Sequence, residues 1–213
     1  MENRIRLVLI LLVFVWMGVI FGFSSRPASL SAQDSYRVGK LFAELFVPNF
    51  KNWSADSQDK YIRSIDRPIR KTAHASEYAI LAMLAGGVFL VQSSLLKAGD
   101  HTGDDEQLSV EDNNSINGRF VPKVNKRRSV KSMVRPLMKG VAVSALFACT
   151  DEFHQRFVQG RAGSLVDVCI DTGGAVVGVI ILGSAICLCG KLVKILRKNR
   201  QKFVDHSAPQ DNC

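Results

Sequence analysis

Between Asp151 and Asp171 the chain reads DEFHQRFVQGRAGSLVDVCID, which gathers Asp151, Glu152, Asp167 and Asp171 with His154, Gln155, Arg156 and Arg161. Carboxylates beside a histidine are the groups of general acid–base chemistry, and arginines bind phosphate through paired N–H donors. On helical spacing Asp151, His154 and Gln155 share a face, while Glu152 points about 100° away, where Arg156 can pair with it. The sequence Gly160-Arg161-Ala162-Gly163 breaks a helix and leaves Arg161 on a tight turn. Asp167 and Asp171 then share a face of the next helix. An ionisable group at the centre of a spanning helix is penalised by about 2.5–3.5 kcal/mol, so charges flanked by apolar blocks are expected to face one another or a wet cavity.

The elements that must position these groups are apolar blocks. Of the 213 residues 47% are hydrophobic, and they come in long runs rather than at helical or strand spacing. The chain is uncharged from Leu7 to Phe23, from Tyr78 to Leu96 and from Thr172 to Gly190. A fourth block, Gly140 to Thr150, is shorter, so a span from Leu137 to about Val158 must carry Asp151, Glu152, His154 and Arg156 with it. The expected fold is an all-α, polytopic membrane protein with helices over about 7–25, 71–96, 137–158 and 168–190, plus short interfacial helices. Residues 1–195 form the membrane domain, and residues 196–213 a basic, flexible tail. The first block could instead be a signal peptide, since Gly22, Ser24 and Ser25 are small residues near a cleavage position.

The flanks set the orientation. Arg4 and Arg6 precede the first block, and Lys191, Lys194, Arg197, Lys198, Arg200 and Lys202 follow the last, which predicts both termini in the cytoplasm of a bacterial inner membrane. The nine Lys and Arg between Ser24 and Lys71 fall in a long loop, where that rule is weak. The excess of 28 Lys and Arg over 19 Asp and Glu is thus an orientation signal, not a nucleic-acid footprint. Residues 99–136 form an inserted cytoplasmic loop, polar and disordered at first, then basic enough to hold anionic headgroups. The five cysteines show no disulfide pattern, and Cys187-x-Cys189 reads as small buried hydrophobes before it reads as a metal pair.

With that topology, one membrane side collects Arg26 after the first helix, Lys71, His74, Glu77 and Tyr78 at the start of the second, Asp151 to Arg161 ending the third, and Asp167 with Asp171 opening the fourth. Pro68 suits the first turn of the second helix and Asp66 can cap it. From Ser35, the residues Val38, Leu41, Phe42, Leu45 and Phe46 form an amphipathic helix that lies either in the membrane interface or against the bundle. Trp53, Tyr61, Ile62 and Ile65 suggest a second interfacial helix. Gly174-x-x-x-Gly178 permits close approach of another helix, which would serve packing or a homo-oligomer.

Phe23-Ser24-Ser25-Arg26-Pro27, Lys71-x-x-His74-x-x-x-Tyr78-x-x-Leu81, Asp151-Glu152-x-His154-Gln155-x-Phe157-x-x-Gly160-Arg161 and Asp167-x-x-x-Asp171-x-x-Gly174-x-x-x-Gly178 together resemble the VanZ-like family. The resemblance implies a small polytopic membrane protein, in a family whose namesake is an accessory component of glycopeptide resistance that lowers susceptibility to teicoplanin. Two departures stand out: Ala75 follows His74 where the family usually has an aromatic, and the loop from Lys97 to Pro136 is longer than in compact relatives.

The expected function is an outward-facing polar site that binds, and could modify, an anionic envelope lipid or lipid-linked wall precursor. Arg26 and Arg161 would hold phosphate, His154 with Asp151 would act as acid–base or orienting pair, and Lys71 and His74 would complete the pocket. No cofactor is called for. A metal on His74, His154, Asp151 and Asp167 matches no established motif. The competing readings are mutual neutralisation of the charges, a non-enzymatic scaffold that meets partners through Gly174 and Gly178, and a proton-coupled transporter, for which four helices are few.

Overall fold

The longest helix, α3 (Ala55–Asp100), touches all the others: α1 (Glu2–Ser24), α2 (Ala28–Phe46), α4 (Val130–Gln155) and α5 (Leu165–Ser207). The structure is a computed structural model and describes residues 2–100 and 130–207. The inserted loop and its basic cluster lie largely outside the described residues. Four helices are long and apolar enough to cross a membrane, over Asn3–Ser24, Ala55–Leu96, Ser132–Gln155 and Leu165–Leu196.

The interior of the bundle packs Tyr78 among small and medium residues. Ile20, Tyr78, Leu81 and Ala148 form one buried cluster, and Ala82, Val141, Ala175 and Val179 another. Large apolar residues such as Leu7, Leu11, Phe14, Ile180 and Leu188 point outward, as they must where the solvent is hydrocarbon. Small residues bring α5 onto α3 at backbone contact. A Cβ at Gly174 would lie 2.1 Å from the Ala75 carbonyl oxygen, and one at Gly178 would lie 2.3 Å from that of Ala79. The groove of Gly174-x-x-x-Gly178 is therefore filled by α3 of the same chain.

The helix boundaries depart from expectation in three places. First, α3 does not begin near Asp66 but runs unbroken from Ala55 through Pro68, absorbing the separate interfacial helix expected around Tyr61. Proline removes one backbone hydrogen bond and strains the preceding turn. Here tertiary contacts hold that turn: Gly39 of α2 sits against Ile62, Ile65 and Ile69, and the Asp66 carboxylate is taken by Ser35 and Arg70 instead of capping a helix. Second, α4 stops at Gln155, because the chain tightens into turns through Phe157, Val158 and Arg161 and adopts a left-handed conformation at Gly160. Third, α5 continues to Ser207, where a flexible tail was expected from residue 196. Lys, Arg and Leu are good helix formers, and no proline intervenes before Pro209.

Helix α2 packs on the bundle with one face and leaves its large apolar face exposed. Ser35, Gly39 and Ala43 are buried against α3, while Val38, Leu41 and Phe46 remain 55%, 59% and 69% exposed. Val47 leaves the helix in an extended conformation, as the residue before Pro48 should. Phe50, packed with Ala43 and Ile62, closes the connection to α3.

Candidate functional site

One face of α3 carries Arg67, Arg70, Lys71 and His74 at three- and four-residue steps. The corner between α4 and α5 is set against that face. Glu152 Oε2 accepts the Ser164 backbone N–H at 2.9 Å, and Ser164 Oγ in turn accepts the Val166 N–H at 3.2 Å, which caps the start of α5. Gly163 lies so close that a Cβ there would meet the Glu152 carbonyl oxygen at 2.2 Å. The expected Glu152–Arg156 pair is thus replaced by a cap.

The end of α1 is stitched to the same corner. Ser24 Oγ donates to Asp151 Oδ2 at 2.7 Å, and Gln155 Nε2 donates to the same oxygen at 2.9 Å. Arg161 Nε donates to the Arg26 carbonyl at 2.9 Å, Nη1 to Gln155 Oε1 at 3.2 Å and Nη2 to the Phe23 carbonyl at 3.3 Å. All three acceptors are uncharged, so no carboxylate pairs directly with the guanidinium. Burial lowers the Arg161 pKa from its ordinary value, with Asp151 and Glu152 acting the other way; a group that starts so high stays protonated at neutral pH.

These elements enclose a cavity of about 190 Å³. Its α3 wall is Arg67, Arg70, Lys71 and His74; α4 contributes Glu152 and Gln155, the turn Arg161, and α5 Asp167 and Asp171. Part of this charge is cancelled locally. Lys71 pairs with Asp167, Arg70 Nη2 with Asp66 Oδ2 at 3.0 Å, and His74 Nδ1 with Glu77 Oε2 at 3.3 Å. Arg67 has neither an ion pair nor a hydrogen-bond partner among the described residues. Two guanidiniums, Arg67 and Arg161, therefore face the cavity without a paired carboxylate.

The Lys71–Asp167 pair is the charged tie between α3 and α5. Lys71→Glu and Asp167→Lys are each expected to lower the melting temperature of the purified protein, and the double swap to restore most of the loss. With side chains 27% and 34% exposed, solvent screens the pair, so a coupling of about 1 kcal/mol is expected from a double-mutant cycle. Strictly additive losses would refute the tie.

Seven of the residues singled out by sequence meet in this cavity: Lys71, His74, Glu152, Gln155, Arg161, Asp167 and Asp171. Asp151 and Tyr78 lie beneath it, each fully buried or nearly so, and Asp151 Oδ1 and the Tyr78 hydroxyl have no hydrogen-bond partner among the described residues. The structure does not bring Asp151 and His154 together. Asp151 is engaged with Ser24 and Gln155, whereas His154 stacks on Phe21 at 4.4 Å and meets Ser25 Oγ at 3.3 Å. Arg26 pairs with Asp34 and lines a neighbouring chamber with Glu77. No three His, Cys, Asp or Glu side chains converge as a metal site among the described residues, and His74 and His154 stand apart. Sequence reasoning missed Arg67, Arg70 and Ser24. The two arginines were legible as the helical continuation of Lys71 and His74, since a helix capped at Asp66 already carries both.

A family model described as VanZ/LLP1 matches residues 9–187, a range that takes in every residue lining the cavity. None of the curated proteins and none of the solved structures matches the chain.

Proposed function

The chain belongs to the VanZ-like family of multi-pass membrane proteins, and we propose that its cavity binds the anionic headgroup of a cell-envelope lipid or lipid-linked wall precursor. The observation that carries this reading is the pair of guanidiniums, Arg67 and Arg161, that line one cavity without a carboxylate partner on either. A planar guanidinium gives a phosphate two parallel donors, and the resulting charge-assisted bonds are about twice as strong as neutral ones. Glu152, Asp171 and His74 line the same space, so a bound headgroup would lie within reach of proton-exchanging groups.

The flanking charge supports an outward orientation. Arg4 and Arg6 at one end of α1 and Lys191 and Lys194 near the distal end of α5 favour that end as the cytoplasmic one, which supports a cavity that opens toward the outer face of a bacterial inner membrane. Binding there would bear on glycopeptide susceptibility through the precursors and lipids displayed at that face.

Arg67→Ala tests the reading, because Arg67 supports no structural bond. Binding of a phosphatidic acid by the purified protein is expected to weaken about tenfold, the loss of a bond worth roughly 1.4 kcal/mol, at the low end for a charged hydrogen bond because Arg67 is exposed, with the melting temperature unchanged. In a Gram-positive host expressing matched amounts of protein, the same variant should lose any protection that the wild type gives against teicoplanin. Unaltered lipid binding by Arg67→Ala would overturn the proposal.

A further inference from the structure

Arg70, His74 and Arg161 line two cavities at once. Behind them, beneath α2, lies a second chamber, also of about 190 Å³, whose wall is largely carbon from Phe23, Val38, Ile69 and Ala73. Most of its polar groups are already engaged, Ser31 Oγ and Glu77 Oε2 having no hydrogen-bond partner among the described residues. Arg26 pairs with Asp34, Ser35 donates to Asp66 and to carbonyls of its own helix, and Glu77 faces His74. Little is left there for a polar ligand to bind.

The two chambers thus differ in kind. The first presents unpaired guanidiniums, the second a carbon surface. Val38 and Phe23 also connect the second chamber to the exterior: they are 55% and 49% exposed, and Val38 belongs to the outward apolar face of α2. Arg70, His74 and Arg161 are thus the shared boundary of a charged cavity and a carbon-walled one, and the second is bordered by the exposed Phe23 and Val38.

Resting on the headgroup reading above, we propose that the ligand is a single amphiphile whose phosphate sits in the charged cavity while the first segment of its hydrocarbon chain lies in the second chamber and leaves between Phe23 and Val38. Chain and headgroup are then gripped by separate walls, which makes α2 part of the binding site. A free phosphate would use the first cavity alone.

The test is a series of n-alkyl phosphates, from methyl to hexyl, titrated against the purified full-length protein. A methylene transferred from water to an apolar wall strengthens binding by about fourfold at most, so affinity is expected to climb along the series and level off once the chamber is full. Ala73→Phe and Val38→Trp, which fill the chamber without touching the first cavity, should abolish that climb and leave methyl phosphate binding unchanged. A flat series in the wild type, or a climb that survives both substitutions, as partition into the detergent would give, overturns the chain chamber and leaves the headgroup reading standing. Failure of every alkyl phosphate to bind, methyl phosphate included, would overturn both.

Discussion

Gly174→Ala is expected to deplete the folded protein, whereas Gly173→Ala, one position earlier, leaves it intact. A Cβ at Gly174 would lie 2.1 Å from the Ala75 carbonyl oxygen and within 2.8 Å of its carbonyl carbon and Cα, all of them backbone atoms that no rotamer change can move. Gly178 repeats the contact one turn on, at 2.3 Å from the Ala79 carbonyl. Inserting a methyl into a close-packed contact costs about 1–3 kcal/mol where side chains can yield, and more where only backbone faces it. Separating α3 from α5 also pulls Lys71 from Asp167 and opens the cavity. At Gly173 nothing lies within 4 Å, so the added methyl meets open space and alanine's better helix propensity, about 1 kcal/mol over glycine, acts unopposed. Membrane abundance and melting temperature of the two purified variants decide the matter. Equal stability of Gly173→Ala and Gly174→Ala would show that α5 does not pack on α3 in this register.

The spanning helices were legible because their signal is compositional: uncharged runs from Leu7, Tyr78 and Thr172 need no partner to be recognised. Their convergence at one end followed from topology alone, and so did the gathering of Lys71, His74, Glu152, Arg161, Asp167 and Asp171. What stayed hidden depended on packing. Pro68 reads as a helix start on local rules, yet the contacts of Ile62, Ile65 and Ile69 with Gly39 carry α3 through it. Helical spacing placed Asp151 and His154 on one face but could not say that Ser24 would engage the first and Phe21 the second. The spacing also marked Gly174 and Gly178 as a contact surface without naming its occupant. The periodicity of α2 was plain, while its division into a small-residue face for α3 and a large apolar face for the exterior required the partner helix.

Arg161→Lys is expected to fail as a replacement, and to fail differently from Arg67→Ala. The Arg161 side chain ends the α1 helix from outside: its donors reach the Phe23 and Arg26 carbonyls, which belong to the last turn of α1 and the corner after it, and it holds Gln155 Oε1 as well. Carbonyls at a helix C-terminus lack intrahelical partners and draw cations to them. Lysine keeps the charge but offers a compact ammonium in place of a planar fork, so it cannot reach three acceptors spread over two segments. Hydrogen bonds to charged groups contribute about 1.5–3 kcal/mol each, and because these three act on one junction their loss is not additive; a destabilisation of about 3 kcal/mol is expected. Gln155 would also lose its orientation, and with it the Asp151–Ser24 contact that ties α4 to α1. Both Arg161→Lys and Arg161→Ala should therefore melt earlier and bind methyl phosphate weakly, while Arg67→Ala binds weakly and melts like the wild type. If Arg161→Lys retained full stability, the guanidinium would not be the staple of the α1–α4 corner, and its contribution to the cavity would be charge alone.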